Sequence, residues 1–286
     1  MNPPLRVKAI AKIKLPIIAK PPALAAPPMD WTITLTFGEG ANSNYRMQQL
    51  GTIWPRGLHM EELESIEAYF KDMGAVTELH RLADALGLDE HDNAGVLIVR
   101  RGAEQWGCDA DTLYHEQRVL DHDKMMMSYK KVVNKKARYN LCFSAEAQEP
   151  NYEEGISRVV SYADVPCTSL LRDRFTELLI NKTAVGIPGG PPHLQCEGNY
   201  YYKSSCGIGY HGDTQRKVVI GVRLGRSMPL CYQWYKQFQK VGDRVSLMLD
   251  HGDLFFMTDK AAGGDWKRPS IYTLRHAAGA AQYIGD

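Results

Sequence analysis

No apolar run in the sequence approaches the roughly 20 residues that span a bilayer, and the first residues lack the continuous apolar core and cleavage site of a secretory signal. These absences predict an intracellular protein, cytoplasmic or nuclear, with no membrane partner. The six cysteines (Cys108, Cys142, Cys167, Cys196, Cys206, Cys231) include no CxxC pair and no paired zinc spacing. That argues against a disulfide frame or a structural zinc and for reduced core thiols. Net charge is also scarce: 34 Lys+Arg against 33 Asp+Glu leaves +1, so any attraction to nucleic acid must be local. Acids are missing altogether from residues 1–28, which hold seven of the fifteen prolines and the basic residues Arg6, Lys8, Lys12, Lys14 and Lys20. Such a composition cannot close a core. It predicts a basic arm, either merely solvated or a tether for an acidic partner.

What is present is the composition of an ordinary globular chain, 44% hydrophobic and 23% charged over 286 residues, expected as a monomer. Residues 29–127 read as a small α+β region. "WTITLTF" at 31–37 alternates as a strand, "HMEELESIEAYFKDMG" and "VTELHRLADALGL" carry helical spacing closed by glycine, and "AGVLIVRRG" is a buried strand. His59, His80, His91, His115 and His122 show no repeated ligand spacing and read as surface or capping residues.

The core is expected over 128–286. "SYKKVVNKKARYNLCF" at 128–143 interleaves Lys130, Lys131, Lys135, Lys136 and Arg138 with Tyr129, Tyr139 and Phe143. Cations among aromatics suit a strand that holds phosphates and stacks on a base, which makes these five basic residues and Tyr139 the candidate nucleic-acid contacts. A lysine-protected sheet edge is the alternative. "DVPCTSLLRDRFTELLINK" follows as an amphipathic helix, "GIPGGPP" as a turn, and then short β-rich runs with the signature of a sandwich or barrel.

His-Gly-Asp occurs twice, at 211–213 and 251–253. His-x-Asp at the start of a strand puts an imidazole and a carboxylate on one face, as a facial iron site requires. The second copy lies between the apolar runs "RVSLML" and "LFFM" and reads as a turn, with Gly252 supplying backbone freedom. The first follows a tyrosine-rich strand and a loop containing Gly207 and Gly209, a setting that can admit a ligand.

Around that first copy, "NYYYKSSCGIGYHGDTQR", the downstream "VVIGVRLG" and "LDHGDLFFM" resemble the AlkB-like branch of the Fe(II)- and 2-oxoglutarate-dependent dioxygenases. The resemblance covers about residues 128–280. It implies an α+β fold with a double-stranded β-helix (jelly-roll) catalytic core and an N-terminal mixed extension. It also implies Fe(II) on His211 and Asp213, 2-oxoglutarate against Asn199 and Tyr201, O2 as co-reactant, and a nucleic acid whose nucleobase alkyl or methyl group is oxidised. The family's distal histidine is not at its usual place beside "DWKR". "YTLRH" resembles the family's final Thr-x-Arg and offers Arg275 for the cosubstrate carboxylate, while His276 is the candidate third ligand, with Asp265 or His251 as substitutes. Adjacent strand residues point to opposite faces, so Arg275 and His276 cannot both serve unless a bulge re-aims one. If His276 is the ligand, Arg223 or Arg268 must supply the cation. Two other functions stay open: a hydroxylase of a protein or small molecule, and a non-catalytic β-helix that has lost its iron.

Overall fold

The computed structural model describes residues 29–87, 93–185 and 193–285. The basic arm at 1–28, His91 and the Gly/Pro turn at 186–192 lie outside the described residues.

In chain order the strands are β1 (Thr32–Gly38), β2 (Gly40–Ala41), β3 (Leu50–Gly51), β4 (Thr77–Arg81), β5 (Gly95–Val99), β6 (Met125–Ser128), β7 (Lys131–Asn134) and β8 (Tyr139–Ser144). They continue as β9 (Val159–Ser161), β10 (Gln195–Tyr201), β11 (Gly207–His211), β12 (Val219–Gly225), β13 (Met228–Lys236), β14 (Gln239–Leu249), β15 (Leu254–Met257) and β16 (Thr273–Gly279). The helices are α1 (Met60–Asp72), α2 (Gly102–Gln105), α3 (Ala110–Arg118), α4 (Pro166–Lys182), α5 (Asp259–Ala262) and α6 (Ala281–Ile284). The class is mixed α+β with a predominance of sheet.

Two sheets organise the chain. The larger has eight strands in the order β4-β5-β15-β12-β1-β10-β8-β9, and the smaller has four in the order β11-β16-β13-β14. From β10 onward the chain passes back and forth between them, except at the β13–β14 hairpin. Period-two alternation gives the larger sheet two different faces. In β1, Ile33, Leu35 and Phe37 join the main apolar core with Ile66 and Phe70 of α1, Leu113 of α3 and Leu171 and Phe175 of α4. Thr34 and Thr36, on the opposite face, line a cavity whose walls come from both sheets. The Phe37 and Phe175 rings meet at 5.1 Å, and truncating either to Ala would cost about 3–5 kcal/mol. Pro166 opens α4, where its missing N–H leaves no helical bond unmade.

Several expectations are corrected. Residues 29–127 are not a separate region, because β1 pairs with both β10 and β12, and β5 pairs with β15. "VTELHRLADALGL" is not a helix: β4 pairs antiparallel with β5 at the sheet edge and a short 3-10 turn, Leu82–Ala85, follows. The sheet offers Thr77 and Leu79 a ladder that their weak helical period does not outweigh. The basic stretch is not one strand. It spans a β6–β7 hairpin that turns through Tyr129 and Lys130, both at positive φ, and then the separate strand β8. The loop around Gly207 and Gly209 is strand β11, paired with β16. All six cysteines are free thiols, and among the described residues no helix is long and apolar enough to cross a membrane.

Candidate metal centre

The first tripeptide emerges from β11. Along that strand Ile208 opposes Ala278 of β16, but His211 opposes His276, so β11 carries one extra residue over this span. The bulge changes which side chains face inward. Ile208 and His211 both line the cavity, whereas Tyr210 turns away and meets the Tyr235 ring at 6.2 Å. On regular β16, His276 and Ala278 line the cavity together. Gly212 can only be glycine, since a Cβ would sit 2.0 Å from the Gly263 carbonyl oxygen behind α5.

His211, Asp213 and His276 converge, each offering one ligand atom, and these atoms lie within 4.8 Å of one another. His211 Nε2 is 3.6 Å and His276 Nε2 3.9 Å from Asp213 Oδ1, and the two rings are 4.4 Å apart. Each Nδ1 is held by a backbone carbonyl, that of His211 by Gly209 (2.8 Å) and that of His276 by Ala261 (3.4 Å). A neutral imidazole that donates from Nδ1 keeps its lone pair on Nε2, so both free lone pairs lie on the side of the carboxylate.

Electrostatics favour the ligating forms. Burial pushes His276 down to about 4 and also lowers His211, so both rings are neutral at physiological pH. Burial alone would raise the Asp213 carboxyl, yet the charged Arg216 guanidinium holds it below its ordinary range. Arg216 is itself buried. Its Nε lies 3.1 Å from Asp213 Oδ2 and its Nη2 bonds Glu197, which also accepts from Asn140 and Asn199 (3.2 Å each). One carboxylate and two imidazoles, with the second carboxylate oxygen fixed by an arginine, form a donor set that could hold a metal ion.

The cavity, of about 780 Å³, continues inward from the triad past Tyr201, Val219 and Phe255 to Arg223. Arg223 on β12 is 2% exposed. Its Nη1 donates to the Met228 carbonyl (3.3 Å), its Nε has no partner, and no carboxylate lies within ion-pair range among the described residues. Burial pushes it down to about 10. Thr34 stands opposite Arg223 in the sheet and also leaves its buried hydroxyl without a partner. The inner end of the cavity is therefore a buried cation and a spare hydroxyl in apolar walls, a setting that calls for an anionic ligand.

The remaining expected residues divide. Asn199, Tyr201, Arg223 and Arg138 line the cavity. Asn199 is already engaged by Arg138, Asn140 and Glu197. Arg275 is corrected: it lies on the face of β16 opposite His276, stacked on Tyr235 at 3.9 Å, and Arg268 is exposed outside the cavity. Lys135 is corrected too, being buried with its ammonium on Ser43 O (3.2 Å) and Asn140 Oδ1 (3.0 Å), where it cannot hold a phosphate. Tyr139 stacks on Tyr202 at 4.1 Å and is not a free platform for a base. Lys130, Lys131 and Lys136 are exposed. In the second tripeptide, His251 Nδ1 accepts from Gly225 N at the end of β12, and Asp253 accepts from Asp250 N in its own turn and from Arg101 N and Arg100 after β5. Glu197 and Thr34 are members of the site that no motif singled out, while Arg216 closes the stretch "NYYYKSSCGIGYHGDTQR" but was given no role. The threonine alternation in "TITLTF" was the available signal for Thr34.

These features define a class: an α+β protein whose two sheets enclose a His-Asp-His ligand cluster and a buried cation in one cavity. No family model matches the chain. Over 257 residues it is 39% identical to an uncharacterized protein of Acanthamoeba polyphaga mimivirus, covering 88% of this chain and 97% of that relative, and the chain belongs to that protein's family.

Proposed function

We propose that the chain is an Fe(II)- and 2-oxoglutarate-dependent dioxygenase of the AlkB type, built on a double-stranded β-helix, that oxidises an alkyl or methyl group of a nucleobase. The observation that carries this reading is the presence in one cavity of the buried His211, Asp213 and His276 cluster and the unpaired Arg223. Passage of the chain between two sheets from β10 to β16 supports the β-helix, with β1 lying between β10 and β12. Iron bound by the triad would couple decarboxylation of 2-oxoglutarate by O2, to succinate and CO2, with insertion of the second oxygen atom into a substrate C–H bond. Hydroxylation of an N-methyl group leaves a hemiaminal that releases formaldehyde.

The protein's own part is positioning. Arg223, with the hydroxyls of Thr34 and Tyr201, would receive the cosubstrate carboxylate remote from the metal, a role that Arg275 cannot take from the other face of β16. Val219, Leu230 and Phe255 keep that end dry, which strengthens the contact.

The test is anaerobic titration with Fe(II) and 2-oxoglutarate, following the visible charge-transfer band of the chelate. Wild type should develop the band at one iron per chain, His276→Ala should not, and Arg223→Met should require at least about 10-fold more 2-oxoglutarate. Absence of stoichiometric metal uptake by wild type would overturn the reading. The substrate assignment fails separately if alkylated oligonucleotides do not stimulate 2-oxoglutarate turnover.

A further inference from the structure

Behind the candidate ligands two buried carboxylates share one buried guanidinium. Asp213 Oδ2 lies 3.1 Å from Arg216 Nε, and Glu197 Oε2 accepts from Arg216 Nη2. One positive charge balances only one of these acids, and an uncompensated buried carboxylate is costly. The other cations stand one residue further back. Glu197 Oε1 accepts from two amides, Asn140 Nδ2 and Asn199 Nδ2, at 3.2 Å each. The oxygens of those amides are held in turn by cations, Asn140 Oδ1 by Lys135 Nζ (3.0 Å) and Asn199 Oδ1 by Arg138 Nε. An amide whose oxygen is fixed by a donor turns its own N–H groups to the opposite side, here onto Glu197. Of the two cations Lys135 is the buried one, and it makes no ion pair among the described residues. Asp123, whose charge acts on it most strongly, spends its carboxylate on the Tyr152 hydroxyl (2.7 Å) and the Arg158 amide (3.1 Å).

We infer that Lys135 is a positioning residue for Asp213, acting through Asn140, Glu197 and Arg216. The inference rests on the metal-binding part of the reading above and not on the oxidation or its substrate. Each link constrains the next. The ammonium fixes which way Asn140 faces, Asn140 fixes Glu197, Glu197 holds one edge of the guanidinium, and Arg216 occupies Asp213 Oδ2. The carboxylate is left with Oδ1 directed at the two imidazoles, 3.6 Å from His211 Nε2 and 3.9 Å from His276 Nε2. Held in this way, it presents one oxygen to a metal rather than two. Without Lys135, Asn140 loses the contact that selects its orientation, and its oxygen can turn towards Glu197, where it repels. Glu197 and Arg216 then shift, and Asp213 Oδ1 leaves the ligand geometry. Positioning and charge predict opposite signs. Removing a cation near a site for another cation strengthens binding by Coulomb's law, whereas loss of positioning weakens it.

The experiment titrates the metal-free, full-length protein with Co(II), a divalent ion with visible absorption that takes nitrogen and oxygen donors. Lys135→Met should weaken binding by about 10-fold, the lower end of the effect of losing a residue that orients a ligand. Asn140→Asp keeps a partner for Lys135 but sets a like charge beside Glu197, and it should weaken binding similarly although it adds a negative charge. Thermal unfolding verifies that each variant is folded, and Asn140→Asp carries the test if Lys135→Met does not fold. In Glu197→Gln the chain of contacts is already cut, so adding Lys135→Met should bring no further loss. Equal or tighter binding in the folded single variants, or a further loss of the same size in the double variant, overturns the inference and leaves the metal centre standing. A wild type that binds no Co(II) would overturn the metal centre itself, and this inference with it.

Discussion

The tripeptide His-Gly-Asp at 211–213 ends a strand and faces a cavity, while the same three residues at 251–253 lie in the turn between β14 and β15. Their glycines separate the two cases. Gly252 has φ of +85°, a conformation other residues adopt only under strain, and its role is to reverse the chain. Gly212 is needed because backbone behind α5 approaches to the point where no Cβ fits. The carboxylates separate them too. Asp253 spends its oxygens on the Asp250 and Arg101 amides and on Arg100 at 2.5 Å, whereas Asp213 gives one oxygen to Arg216 and turns the other towards two imidazoles. The first tripeptide becomes a candidate ligand set only because a third residue arrives from elsewhere, His276 across the bulged β11–β16 pair.

Substitution at the two copies should break this symmetry. The largest effect is expected at the proposed ligands: His211→Ala or Asp213→Ala should lower metal affinity by more than the roughly 10- to 100-fold typical of losing a residue that only orients a ligand, and His251→Ala should leave it unaltered in equilibrium dialysis. Next, Asp253→Ala leaves the Asp250 and Arg101 amides without their Asp253 acceptor and takes one carboxylate from Arg100, which keeps Glu78. Denaturant unfolding should show a loss of about 3 kcal/mol with metal stoichiometry intact. Gly252→Ala should cost about 1–2 kcal/mol by the same measurement and spare the metal, while Gly212→Ala should impair metal uptake by displacing the segment after α5. The smallest effect is the pH dependence of the metal-free protein. His276 is lowered to about 4 when folded against an ordinary value near 6.5, so between those values the unfolded chain binds more protons. Stability should be full above about pH 6.5 and fall as pH drops towards 4, with a shallower fall in His276→Gln.

Local pattern was enough for much of the fold. The strands β1, β5, β10, β12 and β13 and the helices α1 and α4 follow from hydrophobic period and breakers, because each buries the face that its own sequence marks. Edge strand β4 was not legible, since its five residues satisfy a helical period as well as a strand's, and pairing with β5 decides between them. The basic stretch misled for a related reason. Lys135 reads as a surface cation, but the fold seals it against Ser43 and Asn140, and burial pushes it down to about 8. At the site, His211 and Asp213 were visible as a spacing and His276 by elimination. Arg223 was visible only as one of two substitute cations and Thr34 not at all, because the two lie far apart in the chain and meet only where β1 pairs with β12.

By itself the sequence determined the alternation that gives β1 an apolar face and a threonine face, the helix spacing of α1 and α4, and the presence of a His-x-Asp, which it placed at the start of a strand and which the structure places at the end of β11. Side-chain period is a local property and can be read from neighbours. The tertiary structure alone decided that β1 lies between β10 and β12, that a bulge in β11 turns His211 towards His276, and that Arg223 is buried without a carboxylate. Those are pairings between residues far apart in the chain, set by which strands share a ladder, and no local pattern encodes a partner's register.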